Sequence, residues 1–161
     1  MVRIVRKAEQ LDYWQTMLVY EESNRIAAMK FGNRDRNEAL IMAEQEFYAY
    51  LMDVFFETPG AFIAMWEDVG RIVSIVRVEP FEDGMLVAGL ETAAEYRGRG
   101  CASALLRDVV AQLDCPIYSH VHKQNAGSLR VHDKCGFKII DDSCILLNGV
   151  KSCEYYTLRL A

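Results

Sequence analysis

Arg97-Gly98-Arg99-Gly100-Cys101-Ala102 lies between an apolar, strand-like run and an amphipathic helix. Small residues that open a helix leave several backbone N–H groups without partners, and the helix dipole adds partial positive charge at that point. The glycines allow a ligand to approach the backbone closely. The stretch therefore predicts a loop that binds a phosphate or pyrophosphate, although an ordinary strand-turn-helix corner is built from the same residue types.

The chain around this loop predicts a strand-helix-strand unit, with strands over 85–93 and 117–122 and a helix over 99–113. The apolar residues of the helix recur on one face: Leu105, Leu106, Val109, Val110 and Leu113. Such a connection should be right-handed, so that the two strands are parallel. Gly89 indicates a bulge or a splay beside a ligand. If the strands part at their C-terminal ends, the gap between them is a natural binding crevice.

Hydrophobic periodicity predicts a further two helices and three strands before this unit, and a helix and two strands after it. The predicted elements are strand 2–6, helices 9–23 and 36–57, strands 61–66 and 71–79, helix 125–134, and strands 137–141 and 153–160. In helix 9–23 we expect Leu11, Trp14 and Leu18 to face inward, with Met17 as a further candidate. The order predicts an α/β (α+β) fold: one mixed, mostly antiparallel sheet of about seven strands flanked by four helices, in a single domain over 1–161.

The composition weighs against several classes of protein. Hydrophobic residues make up 52% of the chain, as in a folded globule, and no apolar run reaches the roughly 18 residues of a membrane span. Residues 1–7 are too few and too charged for a signal peptide. A net charge of −5 argues against binding to nucleic acid.

Cysteine and histidine usage predicts a reduced protein without a metal. The five cysteines are odd in number and show no C-x-x-C, which is typical of reduced thiols in a cytoplasmic protein. The three histidines and five cysteines have no zinc-binding spacing, so no metal site is expected.

Two motifs carry a resemblance to a known family. The pattern [Arg/Gln]-x-x-Gly-x-[Gly/Ala] is matched by Arg97, Gly100 and Ala102. The pattern Asn-x-x-[Ala/Ser]-x-x-x-Tyr-x-x-x-Gly-Phe is matched by Asn125, Ser128, Gly136 and Phe137, with His132 in place of the tyrosine. In this order and in a chain of this length, the motifs resemble those of the GNAT superfamily of acyl-CoA-dependent N-acyltransferases.

The resemblance implies a site for acetyl-CoA. Backbone groups at the end of a strand would pair with the pantetheine arm, the N–H groups of 98–103 would hold the pyrophosphate, and the amide of Asn125 would hold the pantetheine or adenylate end. The implied cofactor residues are Leu90, Glu91, Thr92, Arg97, Gly98, Arg99, Gly100, Cys101, Ala102, Ser103 and Asn125.

Acyl transfer to an amine implies three candidate catalytic residues. The acceptor, an ammonium with a pKa of about 10.4, must lose a proton, and the leaving thiolate should gain one. His120 is the first candidate for the base, since imidazole titrates near neutral pH, and Glu91 competes for that role. His132, at the position of the family's tyrosine, is the candidate acid. Each residue also has a structural interpretation: His120 at a strand end, His132 in helix packing and Glu91 as an exposed charge.

The expected function is transfer of an acetyl group from acetyl-CoA to a primary amine, with a small-molecule acceptor. Two alternatives stay open: an N-terminal protein or peptide acetyltransferase, and a catalytically weak acyl-CoA-binding sensor. Pairing of the last strands across a homodimer edge is a further possibility. Nothing in the sequence identifies the acceptor.

Overall fold

The computed structural model describes residues 1–146 and 148–161. Its first half contains β1 (Val2–Val5), α1 (Tyr13–Val19), α2 (Glu21–Ala28), α3 (Arg36–Tyr50), β2 (Phe62–Asp68), β3 (Arg71–Phe81) and β4 (Gly84–Thr92). Its second half contains α4 (Cys101–Val110), β5 (Ile117–His122), α5 (Ala126–Lys134), β6 (Phe137–Asp141), β7 (Cys144–Ile145), β8 (Lys151–Ser152) and β9 (Tyr155–Leu160). Three short 3-10 turns are formed by 8–10, 29–31 and 94–96, and a π-helical turn over Leu51–Phe55 extends α3.

Seven of the strands form one mixed sheet in the order β1-β2-β3-β4-β5-β9-β6, while β7 and β8 form a separate two-stranded hairpin. Only the β4–β5 pair is parallel, and the other five pairs in the large sheet are antiparallel. The predicted fold class is therefore confirmed, as are the meander of β2, β3 and β4 and the parallel strands on either side of α4.

Helices cover both faces of the sheet, because its central strands carry apolar residues on both sides. On one face, called the α4 face below, Ala64, Val76 and Val87 pack with Leu105 and Leu106 of α4. On the other, called the α3 face, Ile63, Met65 and Ile75 pack with Leu51 and Phe55, which continue α3. This alternation along β2 and β3 tells which face each strand residue occupies.

The predicted helix over 9–23 is wrong in two respects. It is interrupted at Tyr20, so five α-helices rather than four are present in the described residues. The first begins after Asp12, whose side chain accepts the Gln15 N–H at 3.0 Å. Its inward face also differs, since Trp14 and Leu18 are 75% and 65% exposed.

The buried face of α1 consists of Thr16, Met17 and Val19, and it continues into Tyr20. The Tyr20 hydroxyl donates a hydrogen bond to the Gly89 carbonyl of β4 at 2.8 Å. This long-range bond joins the end of α1 to the sheet, a contact that the helical spacing of the apolar residues alone does not indicate.

The final strand has no free edge. β9 lies between β5 and β6, and the sheet ends at β6 on that side. An edge-to-edge dimer through β9 is thereby excluded, which corrects that part of the expectation. None of the helices in residues 1–146 and 148–161 has the length and apolar character that a membrane crossing requires.

Candidate active site

The two parallel strands at the centre of the sheet part soon after they meet. Their pairing covers Met85 with Ile117, Leu86 with Tyr118, and Val87 with Ser119. Beyond these three pairs β4 continues to Thr92 and β5 to His122 without pairing to each other. The expected separation at the C-terminal ends is therefore confirmed, and it leaves one edge of β4 free to pair with an extended ligand.

A bulge in β4 reorients the free part of the strand. Ile75 pairs with Glu91 and Arg77 with Ala88, so two residues, Gly89 and Leu90, oppose a single residue of β3. Gly89 has φ +58°, in the left-handed region that glycine adopts without a steric penalty. The bulge places Glu91 on the α3 face beside Ile75, because paired residues project to the same side of a sheet.

The loop before α4 presents unpaired backbone donors. Gly98 and Gly100 have φ of +74° and +82°, and the first bond of the helix runs from the Ala104 N–H to the Gly100 carbonyl at 2.9 Å. In the described part of the chain, no protein acceptor binds the N–H groups of 98–103. Together with the positive end of the α4 dipole, they form a site that fits a phosphate or pyrophosphate.

Arg97 and Asn125 both make intramolecular contacts that shape this region. The Arg97 Nε donates to the Thr92 carbonyl at 3.1 Å, and its guanidinium pairs with Glu22 of α2 at 2.5 Å. The Asn125 Oδ1 accepts the Ser128 N–H at 3.0 Å and thereby caps α5. The cap uses the side-chain oxygen of Asn125 and not its NH₂ group. That NH₂ group can therefore donate a hydrogen bond to a ligand.

Glu91 occupies an environment that suits a general base. Its carboxylate accepts a hydrogen bond from the Ser23 hydroxyl of α2. Burial, reinforced by the neighbouring charge of Glu22, raises its pKa to about 7, against the opposing effects of Arg97 and Arg77. A carboxyl with this pKa exchanges protons readily at neutral pH.

His120 lies on the same α3 face, farther along the sheet. Its ring meets Phe81 edge to face at a centroid distance of 5.1 Å. Its Nε2 is buried without a hydrogen-bond partner, and burial lowers the pKa of the imidazole. The ring lines a cavity of about 340 Å³ together with Tyr118, Asp141 and Lys151.

His132 lies on the α4 face, so the structure does not bring it together with Glu91 and His120. The residue is 2% exposed. Its Nε2 is 2.9 Å from the Ser119 Oγ, and its Nδ1 is 2.8 Å from the Ser128 carbonyl. The Ser119 hydroxyl in turn lies 3.0 Å from the Val87 carbonyl, where β4 and β5 begin to part. His132 thus links α5 to the parting point, and burial lowers its pKa.

Replacing His132 with Ala should lower the free energy of unfolding by about 2–4 kcal/mol, because it opens a cavity and leaves Ser119 without one partner. Urea denaturation followed by circular dichroism measures the change. His122→Ala is the matched control: this half-buried histidine accepts one bond, from the Gln124 N–H at 3.1 Å, and its loss should cost about 1 kcal/mol or less. Equal losses for the two variants would contradict the linking role of His132.

Three residues of the α3 face were not among those predicted from the sequence: Tyr20, Ser23 and Arg77. Tyr20 and Ser23 lie at a helix junction that the apolar spacing did not indicate. Arg77 had a visible signal, since it is one charge within the apolar run 72–78 of a strand that is buried on both faces. A charge in such a strand requires a partner or a function.

No group of three or more His, Cys, Asp or Glu side chains suited to a metal ion occurs among residues 1–146 and 148–161. The arrangement therefore offers backbone donors, a free strand edge and titratable side chains as its chemical groups.

Comparison with known proteins relates this arrangement to one family. Residues 29–137 match the family model described as "Acetyltransferase (GNAT) family". The matched range contains β4, the loop before α4, α4 itself, β5 and α5. A search of curated protein sequences gives no match.

Solved structures share the fold at low sequence identity. The PaiA N-acetyltransferase of Thermoplasma acidophilum, in complex with coenzyme A, has a TM-score of 0.68 and 14% identity, over 99% of this chain and 98% of that one. The Escherichia coli ribosomal-protein-S18-alanine N-acetyltransferase has a TM-score of 0.63 and 12% identity, over 99% and 93%. Campylobacter jejuni PseH, in complex with acetyl coenzyme A, has 0.59 and 13%, over 99% and 98%.

Proposed function

Because the chain belongs to the acetyltransferase (GNAT) family, we propose that it transfers the acetyl group of acetyl-CoA to the primary amine of a small molecule. The observation that carries the proposal is the free edge of β4, which carries the carboxyl of Glu91 and leads along the chain into the loop of unpaired N–H groups before α4. The edge and the loop can bind the cofactor's extended arm and pyrophosphate, and the carboxyl can take up the proton that the amine must lose.

The chain's own groups fit acetyl-CoA along its length. The edge of β4 from Ala88 to Thr92, which no second strand covers, offers backbone groups to the pantetheine arm, as an added strand would require, although its Gly89, Glu91 and Thr92 carbonyls also accept side-chain hydrogen bonds. The N–H groups of 98–103 offer the pyrophosphate several donors at a helix N-terminus. The Asn125 side chain offers an NH₂ donor at the start of α5. Acetyl-CoA supplies the acetyl group as a thioester.

In the proposed reaction Glu91 accepts the proton of the acceptor ammonium, directly or through a water molecule. The free amine then forms a bond to the acetyl carbon and the carbon–sulfur bond breaks. The second proton that the nitrogen must lose passes to the departing CoA sulfur, directly or through a water molecule, so that the products are the amide and the CoA thiol. An N–H group on the free edge of β4 would stabilise the negative charge that develops on the carbonyl oxygen. His132 has no exposed nitrogen, so we propose for it a positioning role, through Ser119 and Val87, in place of the acid role.

His120 is the second candidate for the base, because its Nε2 is unpartnered and its ring lines a cavity on the same face. We favour Glu91, whose carboxyl follows the bulge at the free edge itself. His120→Ala should therefore lower kcat less than tenfold, a smaller loss than removing a general base would cause. The measurement is steady-state release of free thiol at saturating acetyl-CoA. A loss of 100-fold or more would transfer the base role to His120.

One experiment tests the proposed function. Calorimetric titration with acetyl-CoA measures cofactor binding, and thiol release is then followed across a panel of small amines and N-terminal peptides. We expect binding, and turnover with small amines. If only peptides are acetylated, the acceptor is a peptide and not a small molecule. If acetyl-CoA binds tightly but no acceptor is acetylated, the protein is a sensor of acyl-CoA and not an enzyme.

The proposed surroundings of the reaction are the cytoplasm. All five cysteines are free thiols, which suits a reducing compartment. The net charge of −5 favours a cationic or neutral acceptor over nucleic acid.

A further inference from the structure

Arg77 on the α3 face is surrounded by aromatic rings. Its guanidinium carbon lies 5.7 Å from the ring centre of Phe47, 5.5 Å from that of Tyr50 and 6.0 Å from that of Phe55. Two of these rings belong to α3 and the third to the turn that extends it. Contacts of this kind hold a guanidinium in one place and favour its positive charge.

The half-buried charge has no direct counter-ion in the described part of the chain. No carboxylate oxygen there lies within 4.0 Å of the Arg77 nitrogens. Its Nε is buried and donates no hydrogen bond. Buried polar groups are nearly always paired in native proteins, and an unpaired one is a reason to look for a ligand.

Arg77 lies over the bulge at the free edge of β4. A Cβ atom built on Gly89 would be 2.9 Å from the Arg77 Nε and 3.1 Å from its Nη2. Glu91, the proposed base, follows Gly89 by two residues and projects from the same face. The guanidinium of Arg77, on β3, and the carboxyl of Glu91, on β4, therefore both lie at the bulge, and no carboxylate in the described part of the chain pairs with the guanidinium.

The charge of Arg77 acts on two acidic residues, Glu79 and Glu91, although neither forms an ion pair with it. The Arg77 charge opposes the rise in pKa that burial causes at Glu79 and at Glu91. Burial raises the pKa of the Tyr20 and Tyr50 hydroxyls, and Arg77 opposes this rise through its charge and through side-chain hydrogen bonds to both. Among these five groups, the Arg77 Nε is a buried donor without a hydrogen-bond partner.

We propose that Arg77 binds the carboxylate of the acceptor, so that the acceptor is an amine that also carries a carboxylate, as a free amino acid does. The inference rests on the proposed function. A guanidinium binds a carboxylate through two parallel hydrogen bonds, which fixes the orientation of the substrate as well as its affinity. With its carboxylate on Arg77, the acceptor presents its amine toward Glu91.

Matched pairs of acceptors test this inference. Acetylation of the twenty common L-amino acids is compared with that of their carboxamides, which keep the amine and side chain but lose the negative charge. For the preferred side chain we expect kcat/KM to be about 10- to 100-fold higher for the acid than for the amide. In Arg77→Gln that ratio should fall to about one, and Arg77→Lys should retain part of it.

Arg71→Gln is the matched control. Arg71 begins the same strand, is exposed, and approaches only Glu95 at 4.0 Å. Replacing Arg71 should leave unchanged the ratio of kcat/KM for the amino acid to kcat/KM for its carboxamide. The ratio is insensitive to damage that lowers the amount of folded enzyme, because such damage reduces both rates equally.

The outcomes separate the inference from the function on which it rests. If wild type acetylates amines without preferring acids, the inference is overturned and the function stands. If Arg77→Gln lowers both rates in parallel, Arg77 has only a structural role, which also overturns the inference. If wild type binds acetyl-CoA but acetylates no amine, the proposed function fails first. Should Arg77→Gln not fold, the wild-type ratio and Arg77→Lys decide.

Discussion

Glu91→Gln should lower kcat by about 100- to 10,000-fold, the usual contribution of a general base. Glutamine has nearly the same shape and can still accept the Ser23 hydrogen bond, but it cannot take a proton from the acceptor ammonium. Acetyl-CoA affinity should change by less than about threefold, because only the side chain differs and the pantetheine arm would pair with the backbone of β4. Stopped-flow thiol release and calorimetry measure the two effects separately.

The role of Glu91 as a base also predicts how kcat depends on pH. Glu91 acts as a base only when it is ionised, and its pKa is raised to about 7. Wild-type kcat should therefore rise about tenfold per pH unit below pH 7 and level off above it. Glu91→Gln should lack this step. A residual rate that rises with pH below pH 6.5 would point to His120 as the base, because burial lowers the pKa of its imidazole from the ordinary value of 6.5. Glu91→Gln with wild-type kcat would rule out the role of Glu91.

The stability of the wild-type protein should fall with rising pH, whereas its kcat should rise. Because the pKa of Glu91 is higher in the folded protein than its ordinary value of 4.5, the folded state binds this proton more tightly than the unfolded state does. The free energy of unfolding then falls as the pH rises from 4.5 to 7. Glutamine removes that loss, so at pH 8 the variant should be more stable than wild type by about 1–3 kcal/mol.

Ser103→Asp should raise the Kd for acetyl-CoA by roughly 100-fold. The residue is the third of α4, and its N–H belongs to the unpaired donors of the loop. A carboxylate about 5 Å from the doubly charged pyrophosphate is repelled by roughly 2 kcal/mol in water and by more in a protein environment. The same charge should stabilise α4 by about 0.3–1 kcal/mol, since acidic residues are favourable in the first turn of a helix.

Ser103→Asp should weaken acetyl-CoA binding but stabilise the fold. Weaker binding by this variant therefore cannot be attributed to unfolding. Asn37→Asp is its control, as it adds one negative charge to the first turn of another helix, α3, at an exposed position. That variant should bind acetyl-CoA with unchanged Kd. Calorimetry at moderate salt measures both, and equal effects of the two substitutions would place the pyrophosphate elsewhere.

Local patterns predicted the fold well because local physics determines those elements. The alternation along β2 and β3, the glycine loop before α4 and the apolar stripe of α4 each reflect contacts that short spacing reveals. Gly89 was also a correct indicator of the bulge and of the separation of β4 from β5.

The features that sequence analysis missed depend on contacts between distant parts of the chain. At Tyr20, where α1 ends, the hydroxyl binds the Gly89 carbonyl, 69 residues away. The buried His132 ring is bound by Ser119 on one side and Ser128 on the other, whereas its position in the motif indicated only a tyrosine substitute. The environment of Glu91 requires Ser23 and Glu22 from α2, and no spacing along β4 shows them.

The free edge of β4 also matters for handling the protein. From Ala88 to Thr92 no second strand covers this edge of β4, although side chains bind the Gly89, Glu91 and Thr92 carbonyls. Such an uncovered edge invites pairing with another chain. A molecule that adds itself as a strand would close this edge and stabilise the folded state by mass action. Purification and storage in the presence of coenzyme A would thus act against aggregation, with a protection that grows with the logarithm of its concentration.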